Sequence, residues 1–232
     1  MKIEQFLYNG DNLGYLLVAG KHAMAIDGGA VDGILAFIRE RELTLAWVTN
    51  THGHGDHTTG TRRLATAADA SYLDHRQFLD GQQIDIGGEA LTVRLTPGHT
   101  MDSVCFAAGD FLVTGDTLFN ATVGNCFSGD LRAFFESVST LMGYPGSTRI
   151  FAGHDYVMDA LAFARQLTPD NAAIDAYAER YDENHVVSTL DDELAVNPYL
   201  RFNDEPIIAL LKDRHLPVDT AYQRWQSIMS IG

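Results

Sequence analysis

Thr51-His52-Gly53-His54-Gly55-Asp56-His57 puts three imidazoles and a carboxylate between positions 52 and 57, directly after the apolar run Ala46-Trp47-Val48. Such a short apolar run reads as a buried strand. It delivers the chain into a loop whose base is fixed and whose side chains are free to specialise. His52-x-His54 on an extended loop points two rings the same way, and Asp56-His57 then turns toward a second position. A lone His is usually a surface or satisfied core residue, which is the reading of His22, His75, His185 and His215. No structural role is easily constructed for the dense run.

Three further positions repeat the pattern of a strand ending in a turn. His99 lies in Thr96-Pro97-Gly98-His99-Thr100 after Leu91–Leu95, Asp116 follows Phe111-Leu112-Val113-Thr114-Gly115, and His154 follows Arg149-Ile150-Phe151 and Gly153. Five His and two Asp are too many for one four-coordinate ion. They suit two divalent ions about 3.5–4 Å apart that share a carboxylate. Zinc is the natural occupant of an imidazole and carboxylate set, and iron or manganese also tolerates it.

Around these loops the chain reads as β-rich. Short strands are expected at Phe6–Tyr8, Leu13–Val18 and Ala23–Ile26, and again at Leu91–Leu95, Val104–Phe106, Phe111–Val113 and Arg149–Phe151, with helices near Ile34–Ile38, Arg62–Ala68 and Leu131–Met142. From Tyr156 onward strand signals vanish. Helices are expected around Ala160–Leu167, Asn171–Tyr181, Pro206–Arg214 and Ala221–Ser227. The division is therefore drawn as a catalytic body over 1–165 and a helical substrate-binding extension over 166–232.

Composition narrows the partners. The 232 residues carry 31 acidic against 16 basic side chains, a net charge of −15. That balance speaks against nucleic acid and anionic membranes, both of which need basic surface. Cys105 and Cys126 stand alone and imply no disulfide framework. No apolar run approaches the roughly 18 residues needed to span a bilayer, and Met1 leads into no signal-like segment, so a cytoplasmic location is expected.

The motif Thr51-His52-x-His54-x-Asp56-His57, followed in order by Gly98-His99, Gly115-Asp116 and Gly153-His154, resembles the metallo-β-lactamase superfamily. The resemblance implies an α/β fold, an αββα sandwich with the metals at one edge and, here, a C-terminal helical extension. It implies one ion on His52, His54 and His99, a second on Asp56, His57 and His154, and Asp116 between them. The tail narrows the likeness. Gly153-His154-Asp155-Tyr156, Phe163-Ala164-Arg165, Asn171-Ala172-Ala173, Ser188-Thr189-Leu190 and Asn197-Pro198-Tyr199-Leu200-Arg201 resemble glyoxalase II, the hydroxyacylglutathione hydrolases of methylglyoxal detoxification.

That family implies cleavage of a 2-hydroxyacyl thioester such as S-D-lactoylglutathione to D-lactate and free thiol, by a hydroxide bridging the two ions. Asp56 and Asp116 are the catalytic carboxylates on this reading, and Tyr156 and Arg224 match substrate-binding positions. The partner is a small-molecule thioester, and the protein is expected as a monomer or small homo-oligomer. Two positions depart from the family in Gly124-Asn125-Cys126-Phe127, where Asn125 replaces a basic residue and Phe127 a tyrosine. Ser227 replaces a lysine near the C-terminus. Either Arg132, Lys212 or another cation supplies the lost charge, or the thiol carrier differs. The competing readings are a mono-iron persulfide dioxygenase and a lactone or β-lactam hydrolase of the same fold.

Overall fold

Leu13 to Leu17 shows how the layers assemble. Successive side chains on a strand face opposite ways. Leu13, Tyr15 and Leu17 join one buried cluster with Met24 and Ile26, while Leu16 joins another with Ala23, Ala25 and Val48. A strand apolar on both faces must lie inside a sheet covered on both sides. The computed structural model, which describes residues 1–232, has that arrangement.

The first sheet contains β1 (Lys2–Tyr8), β2 (Asn12–Ala19), β3 (His22–Ile26), β4 (Thr44–Thr49) and β5 (Ser71–Tyr72), in that order. β1 to β3 form an antiparallel meander, and β3, β4 and β5 run parallel. Parallel neighbours need crossovers. These are supplied by α1 (Val31–Glu40) and by α2 (Gly55–Thr58) with α3 (Thr61–Ala67). The second sheet contains β6 (Gln83–Ile86), β7 (Glu89–Leu95), β8 (Val104–Ala108) and β9 (Phe111–Gly115), all antiparallel. After α4 (Leu131–Leu141), β10 (Arg149–Ala152) pairs parallel to β9.

One buried cluster fills the space between the sheets, with Tyr15, Leu17 and Met24 meeting Leu91, Val93, Phe106 and Phe151. Ile34, Ile38 and Leu64 of α1 and α3 cover the outer face of the first sheet. Phe134, Val138 and Leu141 of α4 cover Leu112 and Ile150 of the second. The result is the αββα sandwich expected. β7 and β9 each oppose β8, and β10 parallels β9, so the C-terminal ends of β7, β9 and β10 gather at one edge. The loop after β4 is tied to that edge by Val104 N–H donating to the Thr51 carbonyl at 2.8 Å.

The tail contains α5 (Val157–Leu167), α6 (Ala172–Arg180), α7 (Leu190–Val196), α8 (Glu205–Asp213) and α9 (Ala221–Met229), four of them where periodicity expects helices. It is not purely helical. β11, Ser188–Thr189, closes the second sheet against β10, contrary to the expectation that strands end at Tyr156. A two-residue strand has no periodicity to read, and only its long-range pairing defines it. Gln166 lies inside α5, so position 166 marks no break between elements. Trp225, Ile228, Ile207 and Leu211 from α9 and α8 are buried in the same cluster as α4. No helix is long and apolar enough to cross a membrane.

Candidate metal centre

All seven expected residues converge at the gathered edge. His52, His54, His99 and Asp116 form one cluster of potential ligand atoms, and Asp56, His57 and His154 a second. Asp116 faces both. Its Oδ2 lies 3.4 Å from His99 Nε2, 3.9 Å from His52 Nε2 and 3.6 Å from His154 Nε2, while Oδ1 lies 3.2 Å from His57 Nε2. Asp56 Oδ2 sits 3.3 Å from His154 Nε2 and 3.6 Å from His57 Nε2.

The loop holding Asp56 and His57 is not wholly extended, because Thr58 and Thr59 amides donate back to the His54 and Gly55 carbonyls and close one helical turn. That turn brings Asp56 and His57 round to His154 while the His57 ring stays 4.3 Å from that of His52. Across the cleft, Gly153 is required by close approach. A Cβ there would run into Asp116 Oδ1 and come within 2.9 Å of His57 Cε1.

The ring nitrogens face one another in a way that hydrogen bonding alone does not satisfy. His54 Nδ1 lies 3.0 Å from both His52 Nε2 and His99 Nε2, and His57 Nε2 lies 3.1 Å from His154 Nε2. One proton cannot serve both neighbours of His54 Nδ1, and Asp116 Oδ1 is buried with no hydrogen-bond partner. Inward lone pairs around an unpartnered carboxylate oxygen suit divalent cations, and the donor set fits a binuclear site.

Outer acceptors complete the orientation. His57 Nδ1 faces Asp27 Oδ2 at 3.0 Å, His154 Nδ1 faces Asp11 Oδ1 at 3.1 Å, and His99 Nδ1 faces the Asn125 carbonyl at 2.8 Å. Each acceptor favours the proton on the outer nitrogen and leaves Nε2 free to point inward. Asp27 also accepts from Thr51 N–H at 2.8 Å and from the Thr51 hydroxyl at 2.7 Å, which anchors the metal loop. Asn12 Nδ2 donates to Asp56 Oδ2 at 3.0 Å.

Burial would push the Asp116 carboxyl up, but the adjoining His57, with His52 and His154, outweighs it and holds it well below the usual range. Burial also opposes protonation of His57, yet Asp27 and Asp116 push it up to about 11. Burial depresses His52 to about 3 and lowers His99.

Two aromatic faces flank the centre. Tyr156 stacks on His154, centroids 5.0 Å apart and planes 7° from parallel, and remains 38% exposed. Burial, with Asp11 next, raises its phenol to about 12, so it stays a neutral donor. Phe127, 67% exposed, sits 5.3 Å from both His54 and His99. Arg224 is not brought to these residues by any contact. Its guanidinium donates to Asn203 Oδ1 and to the Val218 carbonyl. Ser227 is buried and donates to the Pro217 carbonyl. Arg132 instead stacks on Tyr222, 4.1 Å from the ring centroid.

Sequence reasoning missed Asp11, Asn12, Asp27 and Phe119, whose ring meets the edges of His154 and Tyr156. The local signals were two turns, Asn9-Gly10-Asp11-Asn12 before β2 and Asp27-Gly28-Gly29 after β3.

Known proteins place this architecture. The profile of the hydroxyacylglutathione hydrolase C-terminus matches residues 155–226. A hydroxyacylglutathione hydrolase of Anaeromyxobacter dehalogenans is 38% identical over 90% of this chain and 89% of its own length. One from Pseudoalteromonas translucida is 30% identical over 95% and 93%. Among solved structures, ETHE1 from Myxococcus xanthus superposes with a TM-score of 0.70 at 25% identity, covering 98% of this chain and 100% of that one. A metallo-β-lactamase from Staphylococcus aureus superposes with 0.69 at 22%, covering 100% and 71%, and shares the fold. With near full-length similarity on both sides, the chain belongs to the hydroxyacylglutathione hydrolase (glyoxalase II) family of the metallo-β-lactamase superfamily.

Proposed function

We propose that the protein hydrolyses a 2-hydroxyacyl thioester, S-D-lactoylglutathione foremost, to D-lactate and the free thiol. The observation carrying this reading is the pair of ligand clusters that share Asp116. His52, His54 and His99 would hold one divalent ion and Asp56, His57 and His154 the other, with zinc the expected occupant. When bound, such ions acidify a water toward a pKa of about 7 and polarise a carbonyl oxygen.

The chain's own groups do the rest. Asp27, Asp11 and the Asn125 carbonyl orient the imidazoles. Asn12 holds Asp56 at the mouth of the second cluster, where its carboxylate is 43% exposed and can orient an attacking water. Phe127 and Tyr156 supply flat apolar walls for the acyl and thiol portions. A thiolate with a pKa near 8.5 leaves without prior protonation, so no dedicated acid is required. The helical extension, drawn as 166–232, packs on α4 through α9 and would supply the substrate-binding side. Arg132, which stacks on Tyr222 and has no carboxylate partner, joins Arg224 as a cation available to an anionic carrier. A cytoplasmic detoxifying role accords with a glutathione-linked substrate.

The test is a panel of lactoyl thioesters of different thiols, assayed with purified protein carrying two ions per chain. Turnover of lactoylglutathione is expected. Two bound ions without hydrolysis of any thioester, or oxygen consumption with a persulfide, would refute the proposal.

A further inference from the structure

We infer that His75 and Asp102 form a positioning pair that sets the geometry of the first ligand cluster. Asp102 lies in the loop between β7 and β8, three residues beyond His99. Its Oδ1 accepts from the Thr100 hydroxyl at 2.6 Å, and its Oδ2 accepts from His75 Nε2 at 3.0 Å. The backbone of Gly53, between His52 and His54, comes against the same carboxylate. A Cβ built on Gly53 would sit 2.8 Å from Asp102 Oδ2. One side chain thus spans the two loops that deliver His52, His54 and His99.

His75 fixes that span from behind. It is buried, it follows β5 on a 3-10 turn (His75–Gln77), and that turn is capped by Asp74 accepting from Arg76 N–H. It belongs to neither metal loop, so it can hold Asp102 only from the protein side. The pair borders a polar cavity of about 370 Å³ together with Gly53, Thr58 and Arg62. A merely structural histidine would have no reason to terminate on the one carboxylate that meets the His52-x-His54 backbone. Outer groups that orient ligands typically change metal affinity 10–100-fold when removed.

This inference rests on the binuclear reading above. The experiment titrates metal-free protein with zinc against a chromophoric chelator, resolving the two binding steps, with thermal unfolding run in parallel. Asp102→Ala is expected to weaken one step by roughly 10–100-fold and leave the other within about threefold. Asp102→Asn should stay near wild type. Its Oδ1 can accept from His75, while its Nδ2 donates to a Thr100 hydroxyl rotated to accept. His75→Ala should weaken the same step by a smaller factor, and it decides the matter if Asp102→Ala does not fold. Folded Asp102→Ala with both steps unchanged, or with both weakened equally, overturns the inference. So does Asp102→Asn as weak as alanine, because charge rather than position would then be what matters. Wild type binding fewer than two ions would instead overturn the binuclear reading itself.

Discussion

Glu193 offers a quantitative test of how the tail is joined to the metal loops. It projects from α7 and is fully buried. Its Oε1 and Oε2 accept from the Ala121 N–H at 3.0 and 2.8 Å, and Oε2 also accepts from Asn197 Nδ2 at 2.9 Å. Ala121 lies five residues past Asp116, in a left-handed conformation with φ of 70°. Burial pushes the Glu193 carboxyl from an ordinary 4.5 to about 7, against the downward pull of its hydrogen bonds. A folded state with the higher pKa holds the proton more tightly than the unfolded chain. Its contribution is therefore fully present below about pH 4.5 and is lost as pH rises through about 7. The difference is worth about 3 kcal/mol between the two limits.

Depressed carboxylates such as Asp27 and Asp116 act in the opposite direction, losing stability as pH falls. The measurement must therefore isolate one residue. Urea unfolding of metal-free wild type and Glu193→Gln at pH 5 and pH 8 gives a double difference. Glutamine keeps an acceptor for Ala121 and cannot ionise. Wild type is expected to lose roughly 2–3 kcal/mol more than the variant between the two pH values. A double difference under about 1 kcal/mol would refute the argument that burial governs this carboxyl.

Asp116→Ala should lose metal and thioester hydrolysis together, since it faces both clusters; elemental analysis showing two ions with near-normal turnover would contradict that. Asn125→Lys adds a cation at an exposed position beside His99, so KM for lactoylglutathione should fall by up to several-fold, or about 1 kcal/mol, with kcat little changed. The gain should fade with salt, and an equal response from a thioester lacking the glycine carboxylate would remove position 125 as its reader. Truncation after Arg165 should yield aggregating protein rather than a soluble body with raised KM. It removes Trp225, Ile207 and Leu211 from over Phe134 and Ile150, each core side chain worth roughly 1.5–3 kcal/mol of burial. Light scattering and dye binding check this, and a soluble, folded 1–165 fragment would show the tail to be dispensable for folding.

The amino-acid sequence alone determined the metal loops and the strands that lead into them, while the sandwich was expected only through the resemblance those loops carry. Each ligand follows a short apolar strand within a few residues, often through glycine, so strand pattern and ligand identity lie in one local window. The same holds for α4, α5 and α9, whose apolar periodicity spans two or more turns. Tertiary structure alone decided what surrounds them. Asp27 reaches His57 across 30 residues and Asp11 reaches His154 across 143, and no local pattern encodes either meeting. It also decided that Arg224 is bound to Asn203 and the Val218 carbonyl, although its position in the chain matched a substrate contact. It added β11 to the second sheet from within a helical tail. A side chain's type is local, but the partner that claims its hydrogen bonds is chosen by packing, and packing joins segments far apart in the chain.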